Sequence, residues 1–559
     1  VCMAAGFAEL GGEGVKLQTA LGLAADDMAI IGPNCMGVLN QFDGAAIWAT
    51  DNHIEKPASG GAAIISQSGA FLFGITNVEQ AFPLGYAIST GNQAITDAAD
   101  CIVALLEDER VRAIGLYLEG LNDGRALGDA CWQAFEKGIP ILALKGGDSP
   151  AGEAAAISHT GAMVLERDLW QAFAERYGIV EVSSPKAMVE TLKLLTIGGM
   201  PRGPRLTAVS YSGGLNGFIA TRAPALGLVL NQPSAENTRK LRQALPATIP
   251  ISNPLDLNLP WRSRTGLSLQ NGDAIAEAIA DLARDVADMV VFFLDVPRPD
   301  EKSLDSDWLP GMESMGQVVE ALGIPCIVAG ILPEGLDVAL RRRLIDQSVV
   351  PLLGFSDTME ALSVAARLAE LRTALLKNQP PPLLFAPAEV TTPPAKTRLL
   401  DEYESKARLG LFGLNMPENW SGSGADAGAA AETLGFPLAL KIVSKTIAHK
   451  AKVGGVRLGL NSREEVETAV VEMAIAVVAA GEQRPEQFLI EPMVKNAVSE
   501  FIIGIKQHPA LGLALMVGRG GNAVEQLRQF RTVLLPLADS ALDLALEQIG
   551  MPAQASGYA

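Results

Sequence analysis

Histidine is scarce in this chain: 559 residues carry four, at positions 53, 159, 449 and 508. His159 lies in "AAAISHTGAM" (154–163), a run of mostly small residues with Ser158, Thr160 and Gly161 beside the imidazole. An imidazole that accepts and hands on a phosphoryl group needs small neighbours, mobility and a carboxylate to orient its second nitrogen. Glu119, at the end of the apolar run "AIGLYLEG" (113–120), is the candidate carboxylate. A solvent-exposed loop histidine is the competing reading of His159. His449 sits in similar surroundings, "SKTIAHKAKVGGVRLGL" (444–460), whereas His53 and His508 have no such setting and read as surface residues.

Two further stretches suit an anion. "GAAIISQSGAF" (61–71) and "LTAVSYSGGLNGF" (206–218) each read as a strand, a Ser-x-Ser-Gly turn and a helix start. Such a turn presents unpaired backbone N–H groups at the positive end of a helix, with hydroxyls as extra donors. Ser66, Ser68 and Gly69, and Ser212, Gly213 and Gly214, are therefore candidate phosphate-binding residues. A serine before a helix is also an ordinary N-cap, so each turn alone is weak. Two at equivalent places in a faint internal repeat weigh more. "GNQAITDAADCIVALLEDERVRAIGLYLEG" (91–120) finds its counterpart in "NPLDLN" (253–258) and "GDAIAEAIADLARDVADMVVFFLDV" (272–296).

In the C-terminal part, "LGFPLALKIVS" (434–444) puts Lys441 at the end of an apolar strand, ahead of Gly454 and Gly455. Glu491 ends a second strand, "QFLIEPMV" (487–494), and Glu500 follows in "VSEFIIGI" (498–505). A buried-strand lysine for nucleotide phosphates, a hinge for adenine and late carboxylates for Mg²⁺ form the layout of an ATP-grasp nucleotide site. Glu500 is the candidate metal ligand in this layout.

The elements that must position these residues are legible in outline. Short apolar runs ending in Gly or Ser, such as "IPILALKGG" and "DMVVFFLDV", alternate with longer amphipathic stretches. This pattern predicts an α/β protein with tandem doubly wound parallel sheets. Length alone suggests roughly three or four domains. The clearest linker is "KNQPPPLLFAPAEVTTPPAK" (377–396). A net charge of −19 disfavours nucleic acid and anionic membrane surfaces as partners. Five cysteines without C-x-x-C spacing predict reduced thiols and a cytoplasmic setting. No apolar run reaches the ~18–20 residues of a membrane span. The start, "VCMAAGFAEL", reads like the middle of a domain.

Taken in order, "IGPNCMGVLN" (31–40), "ISQSGAF", "GNQ…D…D", "LYLEG", "LKGG…SHTGA", "SYSGGLNGF", "SNPLDL" (252–257), "LGFPLALKIVS…HK…VGGVRLGL" and "SEFIIGIKQHP" span nearly the whole chain. In these motifs the sequence resembles the NDP-forming acyl-CoA synthetase superfamily, which includes ADP-forming acetyl-CoA synthetase and succinyl-CoA synthetase. The resemblance implies a remnant of a CoA-binding Rossmann domain (1–56), two flavodoxin-like ligase domains (57–200 and 201–376), the linker, and an ATP-grasp domain (397–559). It implies an acid–CoA ligase using ATP, Mg²⁺ and coenzyme A, releasing ADP and phosphate through phosphohistidine and acyl-phosphate intermediates. His159 matches the central phosphohistidine, Glu119 its supporting carboxylate, His449 a second histidine at the nucleotide site, and Glu525 a carboxylate of the late grasp segment that joins Glu500 as a metal ligand. Asn34 and Cys35 fall near the acyl and CoA site, with Cys35 read as a buried thiol rather than a nucleophile. The fusion of both halves in one chain is compatible with a homodimer. Two departures stand out: the N-terminal half of the CoA-binding domain is missing, and Gln529 and Val533 replace an expected aspartate and arginine. They motivate the alternative of a regulatory module that binds CoA and nucleotide without full turnover.

Overall fold

The computed structural model describes residues 1–78, 81–147, 166–257, 272–296, 309–385, 399–447, 449–495, 497, 499–520, 530–537 and 539–550. They form two compact units, one made of 1–385, 503–517 and 530–559, the other of 386–502 and 518–529.

The first unit is built on two sheets whose central parallel strands are buried, whereas the edge strand Ala45–Trp48 is largely exposed. One sheet contains β1 (Gly37–Asn40), β2 (Ala45–Trp48), β3 (Gly61–Ser66), β4 (Leu84–Ser89), β5 (Val111–Leu118), β6 (Ile141–Lys145) and β7 (Ile179–Glu181), in the order β2-β1-β4-β3-β5-β6-β7. Strands β3 to β7 run parallel, and every residue of β3 is buried, as expected where helices cover both faces. The second sheet holds β8 (Leu206–Ser210), β9 (Leu255–Asp256), β10 (Met289–Phe293), β11 (Cys326–Gly330) and β12 (Val350–Leu353), all parallel. Its order is β12-β11-β10-β8-β9. Counted from their first parallel strand, both sheets have the order 2-1-3-4-5, the flavodoxin arrangement. The repeat seen in the sequence is thus a repeat of topology. Helices Pro185–Lys193 and Phe355–Lys377 contribute Met188, Leu192, Met359 and Leu362 to one core shared by both sheets.

The hairpin β1–β2 departs from the sequence-based division. Residues 1–56 were expected in a separate Rossmann remnant, yet β1 pairs antiparallel with β4 and extends the first sheet. The pairing fits its alternating burial, with Gly37 and Leu39 inward.

The second unit has a four-stranded sheet of β13 (Trp420–Ser423), β14 (Leu438–Ile442), β15 (Val456–Leu460) and β16 (Gln487–Pro492), ordered β13-β16-β14-β15 with antiparallel pairs. Helices Ala427–Leu434 and Arg463–Ala479 close its core. A further sheet, β17 (Phe501–His508), β18 (Gly512–Arg519) and β19 (Phe530–Leu534), lies mostly within the first unit. Leu511, Ala514 and Leu534 join the core on one face of the first sheet. The stretch 397–559, expected as one domain, therefore contributes to both units.

Candidate functional site

The two Ser-x-Ser-Gly turns occupy equivalent places, at the carboxyl end of the first parallel strand of each sheet. That strand lies where the strand order reverses, the position at which open α/β sheets bind ligands. Their serine-to-backbone contacts match, although Ser210 Oγ also donates to buried Asn216 Oδ1 at 2.8 Å, where the first turn has Leu72. In the first, Ser66 Oγ donates to Ser68 O at 2.7 Å and accepts from Ser68 N at 3.0 Å, while Ser68 Oγ accepts from Phe71 N at 3.4 Å. In the second, Ser210 Oγ lies 3.1 Å from both Ser212 O and Ser212 N, and Ser212 Oγ accepts from Leu215 N at 3.3 Å. Ser68 and Ser212 are thus N-caps of helices Gly69–Thr76 and Gly213–Ala225. Capping takes one of the orphan N–H groups of each helix start, so the N-cap and anion-site readings are compatible. Glycine follows for steric reasons: a Cβ at Gly69 would stand 2.4 Å from Met36 Cγ, and one at Gly213 3.1 Å from Asp256 Oδ2. Gly214 has open space around it.

Glu119 stands directly after β5, and the first turn fixes it. The buried Gln67 side chain accepts from the backbone N–H groups of Glu119 and Gly120 and donates to Gly120 O at 2.9 Å. Burial, with the Glu119 carboxylate next, pushes the Tyr117 phenol above its usual range. Glu119 is buried, as the orienting carboxylate of an imidazole would be. Gln67, the variable position of the Ser-x-Ser-Gly pattern, escaped the sequence reading for that reason. Lys145, at the end of β6, donates to Gly146 O at 3.0 Å. His159 itself lies outside the described residues.

Asn34 adopts a left-handed backbone (φ 57°), donates from Nδ2 to Asn92 Oδ1 at 3.3 Å, and precedes Cys35. Gly91 completes this turn, since a Cβ there would stand 2.2 Å from Pro33 O. The Cys35 thiol is buried, points at Cys2 O (3.3 Å), and is pushed up by that burial, as expected of a packed thiol and not of a nucleophile. His508 is a correction: it is buried, with its pKa lowered by burial, and its Nδ1 accepts from Ala510 N at 3.2 Å. Its place at the end of β17, facing a turn, puts it inside.

In the second unit, Lys441 and Glu491 meet because Ala439 pairs with Glu491 and Lys441 with Leu489, which sets all four side chains on one face. Lys441 Nζ donates to Glu491 Oε1 at 2.5 Å and to Glu402 Oε1 at 2.6 Å. Lys406 Nζ binds Glu491 Oε2 and lies 3.3 Å from Glu402 Oε1, and Lys450 Nζ donates to Glu402 Oε2 at 3.0 Å. Three ammonium groups thus share two carboxylates, leaving one positive charge for an incoming anion. Burial alone would raise Glu402, but hydrogen bonds from Lys441 and Lys450 hold it at about 2; burial alone would lower Lys441, but the two carboxylates raise it. Glu402, Lys406 and Lys450 were missed in the sequence, because "DEYESKARLG" reads as an exposed helix with i,i+4 charge pairs.

His449 is exposed and forms the N-cap of the short turn Lys450–Val453. Gly454 leaves that turn in the left-handed region (φ 74°), and a Cβ at Gly455 would stand 2.7 Å from Ile442 Cδ1. Both glycines therefore let the histidine segment fold back onto β14. Glu500 is exposed beside Gly520, whose N–H donates to Glu500 O at 2.7 Å. An exposed carboxylate is the donor type a hard divalent cation takes. Glu525 and Gln529 lie outside the described residues, and Val533 sits in β19.

Known proteins resemble this chain over most of its length. The profile of the ATP-grasp domain matches residues 392–559, and that of the succinyl-CoA ligase like flavodoxin domain matches 59–195. An ADP-forming acetate–CoA ligase of Archaeoglobus fulgidus is 28% identical, over 96% of this chain and 76% of its own length. A trans-feruloyl-CoA synthase from an unknown prokaryotic organism is 27% identical, over 100% of this chain and 78% of its own. Among solved structures, acetyl-coenzyme A synthetase 1 of Ca. Korarchaeum cryptofilum, in complex with phosphate and ADP, aligns with a TM-score of 0.57 at 22% identity, covering 68% of this chain and 79% of that one. That alignment shows a shared fold. No helix among the described residues is long and apolar enough to cross a membrane.

Proposed function

The chain belongs to the NDP-forming acyl-CoA synthetase superfamily and is an ADP-forming acid–CoA ligase, and on that premise we propose that it works by a two-histidine phosphoryl relay. ATP binds against Lys441, with Lys406 and Lys450 adding positive charge around its phosphates. An imidazole nitrogen of His449 attacks the γ-phosphorus, and the bond to the β-phosphate oxygen breaks to release ADP. The phosphoryl group passes to His159, whose second nitrogen Glu119 orients. The phosphate on His159 is received at the two helix starts, Ser66–Gly69 and Ser212–Gly214. A carboxylate oxygen of the acid attacks that phosphorus to give an acyl phosphate and free imidazole. The CoA sulfur, having lost its proton, then attacks the acyl carbon, and inorganic phosphate leaves.

The observation that carries this reading is that the two Ser-x-Ser-Gly turns stand at equivalent strand ends, each with its first serine hydroxyl turned onto the backbone of the second serine and its second serine capping a helix. Duplicated anion-binding helix starts suit a phosphate gripped from two sides, which ordinary capping does not require. Mg²⁺, held by Glu500 and Glu525, would supply charge neutralisation at the triphosphate. The acid is left open by relatives of nearly equal identity, one named for acetate and one for trans-ferulate. Divisions at 57–200, 201–376 and 397–559 correspond to the acyl-transfer and nucleotide-using parts, and the proposed setting is the cytoplasm. The test is isotope transfer from γ-labelled ATP to protein in the parent, His449→Ala and His159→Ala. Label lost in His449→Ala and trapped on His449 in His159→Ala supports the relay; label absent from the parent sinks it.

A further inference from the structure

We infer that Glu402 is a positioning residue that ties the His449 segment to the nucleotide lysine, Lys441. The inference rests on the roles given to those two residues above. Glu402 opens the helix Glu402–Gly410, whose start is fixed by buried Asp401, capping Glu404 N at 2.8 Å. Its carboxylate is divided between two elements. Oε1 accepts from Lys441 of β14, and Oε2 from Lys450, the residue after His449. The backbone of the same residue is pinned as well, because Gly455 N donates to Lys450 O at 2.8 Å and Ile442 N to Gly455 O at 3.0 Å. Lys450, next to His449, is therefore tied to β14 by its backbone through Gly455 and by its side chain through Glu402.

The partners differ in what they lose without Glu402. Lys441 and Lys406 keep Glu491, whereas Lys450 has no other carboxylate among its ion pairs in the described residues. Replacing Glu402 by Gln thus removes the charged side-chain tie of the histidine segment and loosens it, while leaving the nucleotide lysine paired. It also removes a negative charge from beside the triphosphate, so nucleotide affinity is kept or increased. Phosphoryl transfer to His449 then slows while binding does not, a split that general loss of structure cannot produce. Misplacing a reacting group by about 1 Å costs on the order of 10²-fold.

The test compares the parent with Glu402→Gln, Lys450→Met, the double variant, and Glu404→Gln as a control on the same helix. Labelling of His449 from γ-labelled ATP is expected to fall about 10- to 100-fold in each single variant and no further in the double. ADP affinity is expected to stay within about threefold of the parent or to rise in Glu402→Gln and Glu404→Gln, which also shows that these variants fold. Lys450→Met, which removes a charge beside the phosphates, is expected to weaken it and is compared in labelling at saturating ATP. Without nucleotide, tryptic cleavage after Lys452 is expected to be several-fold faster in Glu402→Gln than in the parent or Glu404→Gln. Equal labelling of Glu402→Gln and parent overturns the inference, as does unchanged cleavage after Lys452. If the parent itself takes no label, the relay reading falls and the cleavage rates alone decide the tether.

Discussion

Glu402 shows how one carboxylate can serve structure and chemistry together. Its folded pKa of about 2 lies below the ordinary carboxylate value of 4.5, so its stabilisation is complete above about pH 4.5 and is lost as pH falls towards 2. Urea midpoints read from Trp420, which packs against the second unit's core, should drop between pH 5.5 and pH 3, and the drop should be smaller in Glu402→Gln. An equal drop in both proteins would place the acid sensitivity elsewhere. In the first unit, Gln67 carries a comparable load, since its oxygen satisfies two buried backbone N–H groups, those of Glu119 and Gly120. Gln67→Ala strands both donors and should cost about 1–3 kcal/mol, measured by chemical denaturation. Activity should fall further than that loss of stability explains, because Glu119 loses its fixed backbone. Neither residue was legible in the sequence. Gln67 occupies a position that varies between the two turns, and Glu402 is one of three acids in a short helix start.

At the scale of elements, strand, turn and helix around Ser66–Gly69 and Ser210–Gly214 were readable because each step has a local cause. Apolar runs form buried strands, glycine admits the close approach, and serine caps the helix. Ser68→Ala and Ser212→Ala should each cost about 1 kcal/mol, with additive effects on the denaturation midpoint because the turns belong to separate sheets. Strong non-additivity would mean that the two turns are coupled in the free protein. The hairpin β1–β2 was not readable as part of the first sheet. Its partner β4 begins 36 residues after β2 ends (48 to 84), and nothing local in "GVLN" or "AAIW" names that partner. Topology of this kind is set by which apolar faces remain uncovered, a property of the assembled sheet.

For the whole molecule, the surprise is that the chain returns to its first unit near the end. Leu511, Ala514 and Leu534 are buried with residues of the first sheet, so a protein cut after Phe385 should have a lower urea midpoint, read from buried Trp170, than the full chain. An unchanged midpoint would show that the late strands add nothing to that core. Family motifs in the sequence marked 397–559 as one functional domain, whereas compactness follows apolar contact, and the two need not coincide. The central claim is that phosphate travels from ATP through His449 to His159. The most direct measurement is the site of label on protein given γ-labelled ATP and Mg²⁺, located by peptide mapping in His159→Ala. Acid-labile, base-stable phosphate on the peptide containing His449 is the predicted result. Label on neither histidine, in folded protein that binds ADP, would contradict the relay.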